Sequence, residues 1–136
     1  VSQLLAAGAG AYRLEAPARA AAPASSEWSG AVSRIHDPET RVVRTREALD
    51  RLWEDSGVDP ILTDLPPGRM LAAVFLGDRA GTDYEMQLVA WSRQGDHWRL
   101  RYRVREPDAP SPERSQPYWF VLLPASNRPV RFEAVE

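Results

Sequence analysis

The chain of 136 residues has no cysteine, two histidines and 17 basic residues, all of them arginine, against 19 acids, for a formal charge of -2. That composition excludes a disulfide framework, a thiol nucleophile and a cysteine metal knuckle, and a zinc site would have to lean on carboxylates beside His36 and His97. No apolar run approaches the roughly 20 residues that span a bilayer, and the near-neutral balance disfavours the broad basic footprint of a nucleic-acid binder. The all-arginine basic set fits a GC-rich coding bias. Its physical consequence is that every cation is a planar fork suited to carboxylates. What remains is one domain long enough to bury a substantial core.

Residues 1–27 differ from the rest. Residues 1–11 are weakly apolar and end in Ala9-Gly10-Ala11, which has the small-x-small form of a signal-peptidase site. A signal remnant and an Ala-rich terminus both stay open. Residues 12–27, rich in Ala, Pro and Ser, offer few large apolar groups to offset chain entropy. The region therefore reads as a disordered leader, with the folded domain starting near Trp28 and running over 28–136. Residues 29–35 read as a first strand, closed by His36-Asp37-Pro38. Thr45 is placed to cap a helix over 46–56, with Gly57 as its stop. Leu49, Leu52 and Trp53 form its apolar stripe.

Gly57, Pro60, Pro66 and Pro67 make 58–68 an irregular crossover. Residues 70–76 are apolar without alternation and predict a central strand with both faces covered. Strands over 84–91 and 97–105 follow, the second alternating Trp98, Leu100, Tyr102 and Val104 with Arg99, Arg101, Arg103 and Arg105. The two alternations fix a register: parity requires an odd loop, 93–95 with Gly95 left-handed, which pairs Leu88 with Leu100 and sets Glu85 opposite Arg103, whereas a two-residue loop would place Leu88 opposite Arg101 and is rejected. Four prolines make 107–117 irregular. Residues 118–123 predict a second central strand and 130–135 one nearer an edge. The expected fold is α+β and β-rich: about six mostly antiparallel strands with one helix.

No constellation for chemistry stands out. His36 and His97 read as polar turn residues, the serines form no GxSxG elbow, and 77–84 lacks the GK[ST] of a phosphate loop. The sequence thus predicts no catalytic residues, no metal and no cofactor. The arginine ladder, Arg99, Arg101, Arg103 and Arg105, reads either as a solvated face neutralised by acids on neighbouring strands or as an anion- or nucleic-acid-binding surface.

The second half of the chain resembles a known family. Arg69 followed by MLAAVFLG, a short loop ending in Tyr84, a hairpin closing in Glu106-Pro107, and Gln116-Pro117-Tyr118 leading into WFVLLP are similar in order to the PrcB-like domain. That family is named for a subunit of a bacterial cell-surface serine-protease complex. The helix with Leu49, Leu52 and Trp53 and the crossover containing Asp64 extend the likeness over about 28–135. Gly77 and Tyr84 match the ends of the family's hallmark loop, whereas its Pro and paired glycines are absent. The resemblance implies a noncatalytic, secreted or cell-envelope module that binds a protein partner, a protease or another envelope protein. On that basis Arg79, Thr82, Asp83 and Tyr84 are the expected contacts, with Trp119 or the arginine ladder as a second surface. The loop also resembles, less closely, that of chagasin-type protease inhibitors.

Overall fold

Burial on both faces decides which strands lie inside the main sheet. In the computed structural model, which describes residues 26–109 and 111–135, the two non-alternating apolar runs become β3 (Arg69–Phe75) and β8 (Tyr118–Pro124). They pair antiparallel, with Ala72 opposite Val121 and Phe75 opposite Tyr118. The short strands β1 (Glu27–Gly30) and β2 (Glu39–Val43) flank them in the order β1-β8-β3-β2. Both predicted central strands are therefore central. The helix α1 (Arg46–Ser56) matches its sequence signals: the Thr45 hydroxyl accepts from the Ala48 amide at 3.1 Å, and Gly57 (φ 71°) donates to the Trp53 carbonyl at 2.9 Å. Its Leu49, Leu52 and Trp53 pack with Val43, Leu71, Ala73, Phe75, Phe120 and Leu122 in one core cluster. Trp53 meets Phe120 edge to face at 5.5 Å, a favoured aromatic geometry. Its indole N–H donates to the Leu62 carbonyl at 3.0 Å, tying down the crossover.

A second, three-stranded sheet has the order β9-β6-β5, from β5 (Glu85–Gln94), β6 (His97–Arg105) and β9 (Val130–Val135). β9 lies parallel to β6, with Arg131 beside Arg99 and Glu133 beside Arg101. The two-residue strands β4 (Arg79–Ala80) and β7 (Arg114–Ser115) pair antiparallel as a separate ribbon. The chain divides into two compact units. Among the described residues, one comprises Glu27–Gln87 and Val104–Asn127, and the other Leu88–Arg103 together with 128–135.

Several expectations need correction. The leader expected over 1–27 lies outside the described residues up to 25, and Glu27 already opens β1. The first strand is not 29–35 but Glu27–Gly30, after which the chain runs irregularly to β2. β2 was not anticipated, because its sequence, ETRVV, shows no alternation of apolar residues. The ribbon strand β7 lies within the proline-rich stretch expected to be irregular. The hairpin loop is also different. β5 continues to Gln94, leaving a two-residue turn, Gly95-Asp96, with Gly95 at φ 65° as expected for a left-handed residue. The parity argument assumed unbroken alternation, but the half-buried positions Met86, Leu88 and Ala90 are followed directly by half-buried Trp91 and Ser92. Trp91 stacks on Trp98 with centroids 4.5 Å apart and planes 4° from parallel.

Candidate functional site

The 77–84 loop leaves β3 through Gly77, whose φ of 77° fits the left-handed region open to glycine. A Cβ there would lie 2.8 Å from the His36 carbonyl oxygen and 2.9 Å from the Pro38 nitrogen, so only glycine lets the two backbones pass this closely. Asp78 follows and is held from three directions. Its amide donates to the His36 carbonyl at 2.9 Å, and its carboxylate takes His36 Nδ1 at 2.8 Å and Gln116 Nε2 at 2.9 Å. The His36 and Gln116 hydrogen bonds hold the Asp78 carboxyl below the ordinary aspartate range, against a smaller desolvation effect.

Beyond Asp78 the loop is bound to 113–116. Arg79 pairs with Ser115 and Ala80 with Arg114; the Gly81 amide donates to the Glu113 carbonyl at 2.7 Å; and the buried Ser115 hydroxyl donates to the Gly81 carbonyl at 2.6 Å. Tyr84 closes the loop by donating its hydroxyl to the Ala80 carbonyl at 3.1 Å. The Arg79 guanidinium lies 5.8 Å from the Tyr84 ring centroid, within cation–π range. Asp83 is exposed and Thr82 half-buried. Beside the loop is an open cleft of about 310 Å³, lined by Ala80 and Tyr84 on one side and by Glu106, Pro107, Asp108 and Ser111 on the other.

Four of the five expected protein contacts, Arg79, Thr82, Asp83 and Tyr84, thus share one braced loop. Trp119 is a correction. Its side chain is 1% exposed and its indole N–H donates to Glu27 Oε1 at 3.0 Å, so it serves the core of the sheet and offers no surface. The error came from treating an aromatic on a central strand as accessible when both faces of that strand are covered. His36, Glu113, Ser115 and Gln116, which brace the loop, were not singled out as site residues. Their contacts with it span more than 30 positions, and only proximity after folding reveals them.

The arginine ladder divides. Arg99 and Arg101 approach the single carboxylate of Glu133, Nε to Oε1, at 3.5 and 3.2 Å. Arg105, in the other unit, approaches Glu85 at 3.6 Å, so Glu85 serves Arg105 and not the Arg103 expected from the three-residue loop. Among the described residues, Arg103 and Arg131 have no carboxylate within ion-pair distance, and both are exposed. Among the described residues, no group of three or more His, Asp or Glu is placed to hold a metal ion, and no helix is long and apolar enough to cross a membrane. Comparison of the chain with protein-family models, with curated proteins and with solved structures finds no match.

Proposed function

We propose that this chain is a noncatalytic protein-binding module of the PrcB-like kind, acting in the bacterial cell envelope or secreted fraction, and that the 77–84 loop meets a protease or another envelope protein. The observation that carries this reading is the bracing of an exposed loop. Asp78, the β4–β7 ribbon and the Ser115 hydroxyl fix its backbone while Asp83 stays exposed next in the chain to Tyr84, which lines the cleft. A loop already ordered before binding loses little conformational entropy in the complex, which is how a small surface reaches useful affinity. His36 has a bracing role in this reading, and its pairing with Asp78 serves loop geometry and not proton transfer to a substrate.

The test is capture from the envelope fraction with wild-type bait and with a Thr82→Ala/Asp83→Lys bait. Neither side chain makes a hydrogen bond or ion pair among the described residues, so the fold is expected to survive the change. The partner should be depleted at least about fivefold on the variant, in line with loss of a well-placed polar contact. Equal recovery of the same proteins by both baits would sink the loop as the contact.

A further inference from the structure

A second surface points to a different ligand chemistry. Because β9 runs parallel to β6 with Arg131 beside Arg99 and Glu133 beside Arg101, these side chains share one face with Arg103. That face holds four guanidinium groups and one paired carboxylate. Arg99 and Arg101 are 42% and 39% exposed even while sharing Glu133. Asp96 feels the charge of Arg131, but its carboxylate is engaged first by the neighbouring His97 at 3.4 Å. Among the described residues, the cations of this face without a carboxylate partner therefore stand at two corners: Arg103 at one end of the row on β6, and Arg131 beside the other end.

We propose that this face binds an extended acidic segment of a protein partner, with carboxylates at positions i and i+4 meeting Arg103 and the Arg99–Arg131 end. Four residues of extended chain cover about 13 Å at roughly 3.3 Å per residue, the same rise that separates Arg99 from Arg103 along β6. Arginine forks also suit carboxylates in a bidentate geometry. A single-stranded nucleic acid has a comparable charge spacing but needs stacking platforms for its bases. Trp98 and Tyr102 alternate with the arginines and so belong to the opposite face, where Trp91 stacks on Trp98 and Tyr102 is buried, and Phe132 alternates in the same way with Arg131 and Glu133.

The experiment uses the full chain and two uncharged-background peptides of identical composition, one with glutamates four residues apart and one with them adjacent. Binding is followed at low ionic strength, where screening is weak, through the arginine Nε–Hε NMR signals. The spaced peptide should bind at least about threefold tighter, with the largest shifts at Arg103 and Arg131. Arg103→Gln or Arg131→Gln should each weaken it about two- to fivefold, the span of an exposed ion pair. The peptide comparison needs no variant, so it decides the matter even if a substitution disturbs folding. Equal affinity for the two peptides, no binding by either, or tighter binding of a charge-matched oligothymidylate would each overturn the proposal.

Discussion

Asp78 joins two segments that are far apart in the chain, because one carboxylate oxygen accepts from both His36 and Gln116. These bonds favour the ionised form, which places the native pKa below the 3.8 of an ordinary aspartate. The stabilisation is therefore complete above the ordinary aspartate range and disappears as pH falls through the lowered native value. The Gln116 side-chain amide signal should titrate with a midpoint below 3.8; a midpoint at or above it would show that the bracing does not depend on the charge. Asp78→Ala should speed exchange of the residue 78 amide by about tenfold, as expected when charge-assisted hydrogen bonds are lost. Gly77 provides a second test. It and Gly95 both have positive φ, but a Cβ at 77 meets backbone atoms at 2.8 to 3.0 Å, whereas at 95 it meets nothing within 4 Å. Gly95→Ala should cost about 1 kcal/mol, the conformational penalty alone, and Gly77→Ala at least about 2 kcal/mol, measured by urea denaturation. Equal costs would mean the close approach to 36–38 relaxes. At this scale little was legible: Gly77 stood out by its place after the apolar run, but neither His36 nor Gln116 carries any local sign of the carboxylate it meets.

Among the elements, legibility follows how local the signal is. The helix was readable to its ends because Thr45, the Leu49-Leu52-Trp53 stripe and Gly57 all lie within thirteen positions and each acts on its own neighbours. β2 was hidden because an edge strand can draw its stability from its partner: Glu39 to Val43 run beside Phe75 to Leu71, and only Val43 is fully buried. In β5 the pattern was present but not constant, and a single break between Ala90 and Trp91 was enough to spoil the loop length derived from it. Helix energetics can be apportioned between cap and stripe. Thr45→Ala removes the acceptor for the Ala48 amide and should cost about 1 kcal/mol. Leu52→Ala opens a fully buried position in the core cluster and should cost about 2 to 5 kcal/mol. Thermal or urea unfolding of the two variants gives the ranking, and a Thr45→Ala loss as large as that of Leu52→Ala would show that the helix is held by its end and not by its stripe.

For the whole molecule, the β-rich α+β class and the two central strands were legible because a strand buried on both faces has no reason to alternate. The strand order was not, since β3 and β8 are neighbours although some 40 residues lie between them, and nothing within either strand specifies the other. The same topology predicts where the molecule is hardest to open. β3 and β8 have a strand on each side, and every residue from Met70 to Phe75 and from Trp119 to Leu123 is buried, several of them in the cluster with α1. β9 pairs with β6 on one side among the described residues, and its Arg131, Glu133 and Ala134 are exposed. Amides that open only with a packed core exchange at the global unfolding free energy, whereas those on a thinly covered strand open locally at lower cost. Native-state hydrogen exchange should therefore place β3 and β8 amides, such as those of Ala72 and Val121, in the slowest class, and those of β9 in a faster class that denaturant accelerates only weakly. If β9 exchanged as slowly as β3 and with the same denaturant dependence, the three-stranded sheet would be opening only in global unfolding, and the stability gradient argued from burial would be wrong.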